Sequence, residues 1–244
     1  MDANRQYKLA TTPFAAIPRI IPTLVCNFRC PYCVMDYPQP THEILSAEKW
    51  IYILNNLPGD SVIFSGGEPT LINHLPDIIN GLAKNDIRVY TNMSRPFSYW
   101  QRLDRTIHIL ASYHHGQGIS PRAVAELFQQ LRDAGHYIGS HVIESANTPA
   151  DDIAIFDAVG IDIKTDIDIR NLKAWKNRGS IPAVLPCKTT RILIGPDGKR
   201  YPCLHKLVKA NPGDVMTTMT FPNTVECREG GSCHVCDVAI FARK

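Results

Sequence analysis

The sequence predicts an α/β fold, a partial (β/α)6 TIM-like barrel followed by a small β-hairpin and a helix. Apolar strand-like runs alternate with amphipathic helical segments between residues 20 and 163. Such repeated strand–helix units imply parallel strands with helical crossovers. Six units are too few for a closed eight-stranded barrel but suit an open, curved one.

Short apolar runs mark the strands, and polar caps followed by apolar residues at helical spacing mark the helices. Strands are predicted at residues 20–25, 62–64, 87–90, 106–111, 137–143 and 161–163, and helices at residues 46–57, 78–82, 120–135 and 148–160. Ser46 and Ser120 are the expected N-caps of two helices. Pro22 in the first strand indicates a sheet edge, because proline donates no ladder hydrogen bond.

Polar loops follow the first four predicted strands, at residues 26–33, 65–69, 91–92 and 112–115. In barrels of parallel strands, the chemistry lies at the carboxyl ends of the strands. We therefore expect these loops to form one rim that carries the functional site.

Composition excludes several classes of protein. The formal net charge of +3 comes without a block of Lys or Arg, so nucleic acid is not an expected partner. No run approaches the roughly 18 apolar residues that span a bilayer, so no membrane partner is expected. The N-terminal residues show no signal-peptide pattern, and we expect a cytoplasmic, reduced protein.

Cys26, Cys30 and Cys33 form a C-x3-C-x2-C pattern in the first of these loops. Clustered cysteines in an intracellular protein indicate a metal rather than disulfides. Three thiolates can hold three irons of a cubane cluster and leave the fourth iron open to a ligand. Zinc is the alternative, but tetrahedral zinc needs a fourth ligand, and His42 lies nine residues beyond Cys33.

Together with Gly66-Gly67-Glu68-Pro69 after the second strand, this cysteine loop resembles the radical S-adenosylmethionine (SAM) superfamily over residues 18–178. The resemblance implies that Cys26, Cys30 and Cys33 ligate a [4Fe-4S] cluster whose fourth iron chelates SAM. It further implies that the two glycines let the backbone approach the methionine moiety and that Glu68 lies near its ammonium. Enzymes of this family reductively cleave SAM to a 5'-deoxyadenosyl radical, with electrons from a low-potential donor of the flavodoxin or ferredoxin type.

The same resemblance suggests further cofactor contacts. Ser112 lies where the family often places a polar group for the SAM ribose, and Asn92 ends the third strand facing the cofactor. The backbone of Tyr32 and the side chain of Val142 or Ile143 are expected around the adenine. Alternatively, Ser112 and Asn92 simply cap the helices that follow them.

The C-terminal part carries a second group of cysteines. Residues 191–194 and 199–201 flank a Gly- and Pro-rich turn and are predicted to form the hairpin. Cys187 precedes this hairpin and Cys203 ends it, so the two thiols can meet at its open end. Cys233 and Cys236 add a pair at a spacing that suits one metal centre.

Residues 186–244 resemble the twitch extension, a shortened relative of the SPASM domain. That resemblance implies an auxiliary [4Fe-4S] cluster on Cys187, Cys203, Cys233 and Cys236. Cys227 departs from the pattern: it either replaces one of these ligands or remains a free thiol. For the whole segment, a zinc ribbon is the alternative. We predict two domains, a radical SAM core at residues 1–180 and a twitch-like domain at residues 181–244.

Polar residues at the strand ends are candidates for substrate contacts: His114, His115, His141, Glu144, Lys164 and Asp166. A charged group there is costly unless it is paired or functional, and Lys164 and Asp166 could merely neutralise each other. The leading hypothesis is a radical SAM oxidoreductase that dehydrogenates a small-molecule secondary alcohol and passes an electron to the auxiliary cluster. His115 or Lys164 would be the catalytic base. Peptide modification and a non-catalytic iron–sulfur or zinc protein are the alternatives.

Overall fold

The computed structural model describes residues 17–30, 33, 43–144, 149–161, 163–167, 185–189, 192–209 and 223–227. Within these ranges the strands are β1 (Arg19–Ile20), β2 (Ser61–Phe64), β3 (Asp86–Thr91), β4 (His108–Tyr113), β5 (Tyr137–Glu144), β6 (Ile163–Ile167), β7 (Leu185–Thr189), β8 (Leu193–Ile194), β9 (Arg200–Tyr201) and β10 (Asn223–Cys227). The helices are α1 (Ala47–Asn55), α2 (Leu75–Asn80), α3 (Phe97–Trp100), α4 (Pro121–Asp133), α5 (Ala150–Ala158) and α6 (Leu204–Lys209), with a 3-10 turn at Pro69–Leu71.

Eight strands form one sheet in the order β6-β5-β4-β3-β2-β1-β8-β9. Strands β1 to β6 are parallel and follow one another in chain order, and β8 adds to the β1 edge in the same direction. Only β9 runs antiparallel within the described part of this sheet. The predicted α/β fold with an open (β/α)6 barrel is therefore confirmed.

Both predicted serine caps are present. The Ser46 hydroxyl accepts from the Lys49 amide at 3.4 Å, and the Ser120 hydroxyl accepts from the Ala123 amide at 3.2 Å. Each bond satisfies one of the backbone donors that a helix N-terminus leaves unpaired. The caps thereby set where α1 and α4 begin.

The main core lies between the sheet and its helices. In β3 and β4, alternate residues are buried, as expected when only one face of a strand packs against helices. Trp50 of α1, Phe128 of α4 and Phe156 of α5 are buried in this core. Each such side chain contributes roughly 1.5–3 kcal/mol when it leaves water.

The C-terminal hairpin belongs to the same sheet as the barrel strands. The Arg19 and Ile21 amides donate to the Ile192 and Ile194 carbonyls at 2.7 and 2.8 Å. The hairpin turn also packs on α1, because a methyl group added at Gly198 would lie 2.6 Å from Ile53 Cδ1. The boundary at residues 180 and 181 stays a prediction, and the hairpin is continuous with the core.

The first strand is shorter than predicted and begins one residue earlier. Pro22 lacks an amide hydrogen, and the carbonyls of Thr23 and Val25 accept from the Gly67 and Glu68 amides instead of a strand ladder. The fourth and sixth strands lie about two residues further along the chain than predicted, at β4 and β6.

Some elements have no counterpart in the sequence prediction. They are helix α3, the 3-10 turn, and the separate two-stranded sheet in which β7 pairs antiparallel with β10. Among the described helices, none has the length and apolar character needed to cross a bilayer.

Candidate functional site

Contacts among the loops at the carboxyl ends of β1 to β4 bring the cysteine loop together with Gly67, Glu68 and Asn92. The loop after β2 bonds to the loops after β1 and β3, and the loop after β4 bonds to the cysteine loop. Parallel strands place their carboxyl ends at one edge, which explains why these distant segments meet. The predicted rim exists.

Gly66 and Gly67 lie directly against the segment that leads into the cysteine loop. The Gly67 amide donates to the Thr23 carbonyl at 3.1 Å, and the Glu68 amide donates to the Val25 carbonyl at 2.8 Å. A methyl group added at Gly66, whose φ is +132°, would lie 2.6 Å from the Thr23 oxygen, and one at Gly67 would overlap the Val25 carbonyl. The chain's own close approach therefore requires both glycines.

The carboxylate of Glu68 is 1% exposed and accepts four hydrogen bonds. Oε1 accepts from the Thr70 amide (3.1 Å), the Thr70 hydroxyl (2.6 Å) and the Thr91 hydroxyl (2.8 Å). Oε2 accepts from the Asn92 amide at 2.7 Å. Burial raises the pKa of Glu68, and these donors oppose the rise. Glu68 thus fixes the ends of β2 and β3 to each other, while its contact with a SAM ammonium stays a prediction.

Asn92 connects the end of β3 to the cysteine loop. Its Nδ2 donates to Asn27 Oδ1 at 2.9 Å and lies 3.9 Å from the Cys26 sulfur, and its Oδ1 accepts from the Ser94 amide at 3.1 Å. Between these groups Met93 adopts a left-handed φ of 60°, which costs free energy in a non-glycine residue. Asn92 therefore caps its own turn and also orders the first cysteine.

The cysteine loop is folded by local hydrogen bonds. The Cys33 amide donates to the Cys30 carbonyl at 2.9 Å, the Phe28 amide donates to the Cys26 sulfur at 3.4 Å, and the Arg29 guanidinium donates to the Cys26 carbonyl at 3.1 Å. Cys30 is buried, and Cys26 and Cys33 are half-buried. Burial raises the pKa of the Cys26 thiol, although the Phe28 amide opposes this and metal binding would deprotonate the thiol outright.

The loop after β4 touches the cysteine loop twice. The His114 ring meets the Phe28 ring edge to face at 5.8 Å, and Gln117 Oε1 accepts from the Arg29 amide at 2.7 Å. Burial lowers the pKa of His114 to about 4, so this ring is neutral at physiological pH. The two loops consequently hold each other in place.

His115 forms a hydrogen-bonded group with Asp152 and Tyr113. Its Nδ1 lies 2.7 Å from Asp152 Oδ2, and the Tyr113 hydroxyl donates to the same oxygen at 2.7 Å. Burial and the adjacent Asp152 carboxylate raise the pKa of the Tyr113 hydroxyl, which keeps it a donor. An imidazole held by a carboxylate is a plausible proton acceptor.

The other predicted cofactor and catalytic residues are placed mainly by backbone register. Ser112 of β4 pairs with His141 of β5, which in turn pairs with Lys164 of β6, so these residues form one row across three strands. Val142 pairs with Tyr113. Tyr32 lies outside the described residues.

The C-terminal cysteines are only partly described. Cys187 lies in β7 opposite Val225, and Cys227 pairs with Leu185, so the two cysteine backbones are one diagonal step apart. Cys203 lies between β9 and α6 and is half-buried. The second pair, Cys233 and Cys236, lies outside the described residues.

The donor chemistry of the cysteine loop suits a [4Fe-4S] cluster. It offers three thiols from one loop, whose leading segment bonds to the backbone of Gly67 and Glu68, and a cubane spreads its ligands over separate irons. In the described part of the chain, no three His, Cys, Asp or Glu side chains converge on a point that a single metal ion could occupy.

Comparison with known proteins identifies the class to which this site belongs. The family model of the radical SAM superfamily matches residues 20–196, more than half of the chain. The chain belongs to the radical SAM superfamily, which implies a [4Fe-4S] cluster and SAM. The predicted core resemblance is confirmed, and the twitch-like extension stays a prediction.

Among individual proteins, the chain is similar to GTP 3',8-cyclases. It is 34% identical over 104 residues to a probable GTP 3',8-cyclase of Saccharolobus islandicus (strain L.S.2.15 / Lassen #1), covering 39% of this chain and 34% of the relative. It is 31% identical over 101 residues to the GTP 3',8-cyclase of Haemophilus ducreyi (strain 35000HP / ATCC 700724), covering 36% of this chain and 30% of that protein. The matches thus span about a third of the length of these curated relatives.

A solved structure supports the fold assignment. The chain is similar to native anSMEcpe with bound AdoMet and Cp18Cys peptide, with a TM-score of 0.52 and 14% identity over 76% of this chain and 73% of that one. At this level of identity, the likeness concerns the fold alone.

Three residues that organise the site have no specific role predicted from the sequence. Asp152 looks like an acidic residue in the first turn of a helix, which the helix dipole alone would explain. Thr91 and Gln117 follow no motif. Their roles depend on which loops meet, and only the folded chain shows that.

Proposed function

We propose that this protein is a radical SAM oxidoreductase that dehydrogenates a small molecule carrying a secondary alcohol. The observation that carries the proposal is the His115–Asp152 pair. His115 lies in the loop after β4, which contacts the cysteine loop through Gln117. Loss of an electron and a proton completes the oxidation of an alcohol radical, and an imidazole at the rim suits the proton.

In this proposal Cys26, Cys30 and Cys33 hold the SAM-binding [4Fe-4S] cluster, and Cys187, Cys203, Cys233 and Cys236 hold an auxiliary one. When bound, the first supplies the electron that cleaves SAM to methionine and a 5'-deoxyadenosyl radical, and the second supplies an oxidant for the substrate radical. Cys227 is a close neighbour of Cys187 in register and is the candidate replacement ligand.

The remaining residues bind and orient the reactants. The backbone of Gly66 and Gly67 lies against SAM's methionine moiety, near Glu68. Asn92 and Ser112 contact its ribose side, and Tyr32 and Val142 flank the adenine. The loops after β1 and β4 are joined through Gln117, which fixes His115 relative to the cysteine loop.

The proposed oxidation balances as follows. The substrate carbon loses a hydrogen atom to the deoxyadenosyl radical, forming 5'-deoxyadenosine. The resulting alcohol radical loses one electron to the oxidant and its hydroxyl proton to His115 Nε2, with Lys164 the alternative base. A carbonyl forms, and the electron spent on SAM cleavage is matched by the one recovered from the substrate.

The decisive experiment is anaerobic turnover with secondary alcohols deuterated at the carbinol carbon. We expect deuterium in 5'-deoxyadenosine and an equal amount of carbonyl product. Transfer of deuterium without a carbonyl product would contradict dehydrogenation.

The auxiliary cluster has its own test. Reconstituted protein should contain roughly eight irons per chain, as two cubanes require. Replacing Cys233 and Cys236 with Ala should halve the iron and spare SAM cleavage while losing product. Four irons per chain, together with zinc bound by the C-terminal cysteines, would contradict the presence of a second iron–sulfur cluster.

A second candidate function follows from the curated relatives. Their name, GTP 3',8-cyclase, favours a purine nucleotide as the substrate. In a cyclase, the substrate radical would add to another carbon of the same molecule instead of losing an electron. Turnover with GTP deuterated on the ribose separates the two by product: a cyclase would form a cyclised nucleotide without a carbonyl at the ribose, whereas a dehydrogenase would form the carbonyl or leave GTP unchanged.

A further inference from the structure

We propose that Asp152 is a positioning residue that fixes a proton on His115 Nδ1, so that Nε2 is the ring nitrogen that accepts the substrate proton. The inference deepens the proposed function and rests on it, because it concerns the proton that the oxidation releases. It assigns a role to a residue that no sequence pattern singled out.

The hydrogen bonds determine the tautomer. A carboxylate only accepts hydrogen bonds, so the 2.7 Å contact between Asp152 Oδ2 and His115 Nδ1 requires a proton on Nδ1. In a neutral imidazole, Nε2 is then the acceptor. In the described part of the chain, no hydrogen bond occupies Nε2, and the His115 side chain is 36% exposed.

Asp152 is itself held in place. The Tyr113 hydroxyl donates to the same Oδ2 at 2.7 Å, and the Tyr113 ring packs on Phe156 of α5 at 5.1 Å. Asp152 lies in the first turn of the nine-residue helix α5, where the helix dipole favours a negative charge. The carboxylate is only 15% exposed, so it keeps one orientation toward the imidazole.

The position of His115 connects this pair to the radical site. His115 lies between His114, which packs on Phe28, and Gln117, which accepts from the Arg29 amide. Both partners belong to the cysteine loop. The chain on either side of His115 is therefore held against the cysteine loop, and its imidazole is held by Asp152 of α5.

The test uses Asp152→Asn with Asp151→Asn as the matched control. Asp151 occupies the same helical turn, is exposed, and loses the same charge. Long-range 1H–15N spectra of the reconstituted, oxidised protein report the tautomer directly, and the His115→Gln variant identifies the His115 signals.

We expect the Nδ1–H form in the wild type and in Asp151→Asn. In Asp152→Asn we expect a shift toward Nε2–H, as happens in a catalytic triad when an amide replaces the carboxylate. A wild-type ring protonated on Nε2, or no change in Asp152→Asn, would overturn the assignment.

Turnover supplies the second readout, using whichever deuterated secondary alcohol passes deuterium to 5'-deoxyadenosine. Asp152→Asn should keep that transfer but lower carbonyl product about a hundredfold, the scale of lost general-base catalysis, and Asp152→Glu should restore part of it. Equal carbonyl yields in Asp152→Asn and Asp151→Asn would refute the positioning role. If no alcohol passes deuterium, the dehydrogenation itself fails, and the spectra still decide whether Asp152 sets the tautomer.

Discussion

At the scale of single residues, Glu68 shows how one side chain can organise several loops. Its carboxylate accepts from Thr70, Thr91 and Asn92 while fully enclosed. The family resemblance predicts that Glu68 also lies near the ammonium of SAM. The four hydrogen bonds that its carboxylate accepts join the ends of β2 and β3, so Glu68 shapes the site.

Glu68→Gln should lower the stability of the protein. The substituted amide presents an NH2 group to backbone and hydroxyl donors, which leaves buried groups unpaired at a cost of about 1–3 kcal/mol. We expect a lower melting temperature and weaker SAM binding, measured by thermal scans and by ligand titration. Glu126→Gln, on the exposed face of α4, is the control. Equal melting temperatures for the two variants would contradict this role.

His114 predicts a pH dependence of stability. Burial lowers the pKa of His114 in the folded protein to about 4, below its ordinary value of 6.5, so between these pH values the unfolded chain binds more protons. The contribution of His114 to the free energy of unfolding is therefore fully present above pH 6.5. It is lost as the pH falls toward 4, by at most about 3 kcal/mol. In His114→Phe, which keeps a ring against Phe28, the melting temperature should fall less over this range. Parallel decreases in both proteins would count against the burial of His114.

At the scale of elements, the loop after β2 and the segment before the cysteines form one unit. Gly67→Ala should force the Val25 carbonyl away and break the bonds between the two segments. We expect a loss of about 1–3 kcal/mol, typical of overpacking, together with reduced iron content after reconstitution. Gly139→Ala is the control, since an added methyl there meets only Leu110 at 3.8 Å. Wild-type iron content in Gly67→Ala would show that the contact does not shape the cysteine loop.

The hairpin of β8 and β9 makes a second prediction at this scale. Ile194 is fully buried in the main core, although its sequence position lies in the predicted second domain. Ile194→Ala should lower the free energy of unfolding of the whole chain by about 2–5 kcal/mol. The chain should still melt in a single transition, at a lower temperature. Lys199→Ala, at the exposed hairpin turn, should leave it unchanged. A separate transition that alone responds to Ile194→Ala would indicate an independent C-terminal domain.

The sequence allowed the main elements to be predicted because they depend on local signals. Ser46 and Ser120 are caps within a few residues of the helices that they begin, and apolar spacing marks the packed faces of α1 and α4. The limits of β1 depend instead on where the Gly66–Gly67 backbone approaches Thr23 and Val25. No local pattern contains that information.

At the scale of the whole molecule, the predicted rim agrees with the structure because parallel strands bring their carboxyl ends together regardless of detail. What could not be predicted is the set of partners across that rim. The Asp152–His115 pair joins residues 37 positions apart, and the Arg29–Gln117 bond joins residues 88 apart. Sheet β7–β10 was missed for a similar reason, since each of its strands is short and half polar.

SAM cleavage tests the central claim most directly. Reconstituted, reduced protein incubated anaerobically with SAM should yield 5'-deoxyadenosine and methionine, and Cys30→Ala should yield neither, because it removes one of the three proposed cluster ligands. Iron-loaded wild-type protein that forms no 5'-deoxyadenosine, or a Cys30→Ala variant that forms as much as the wild type, would contradict the assignment of Cys26, Cys30 and Cys33 to a SAM-cleaving cluster.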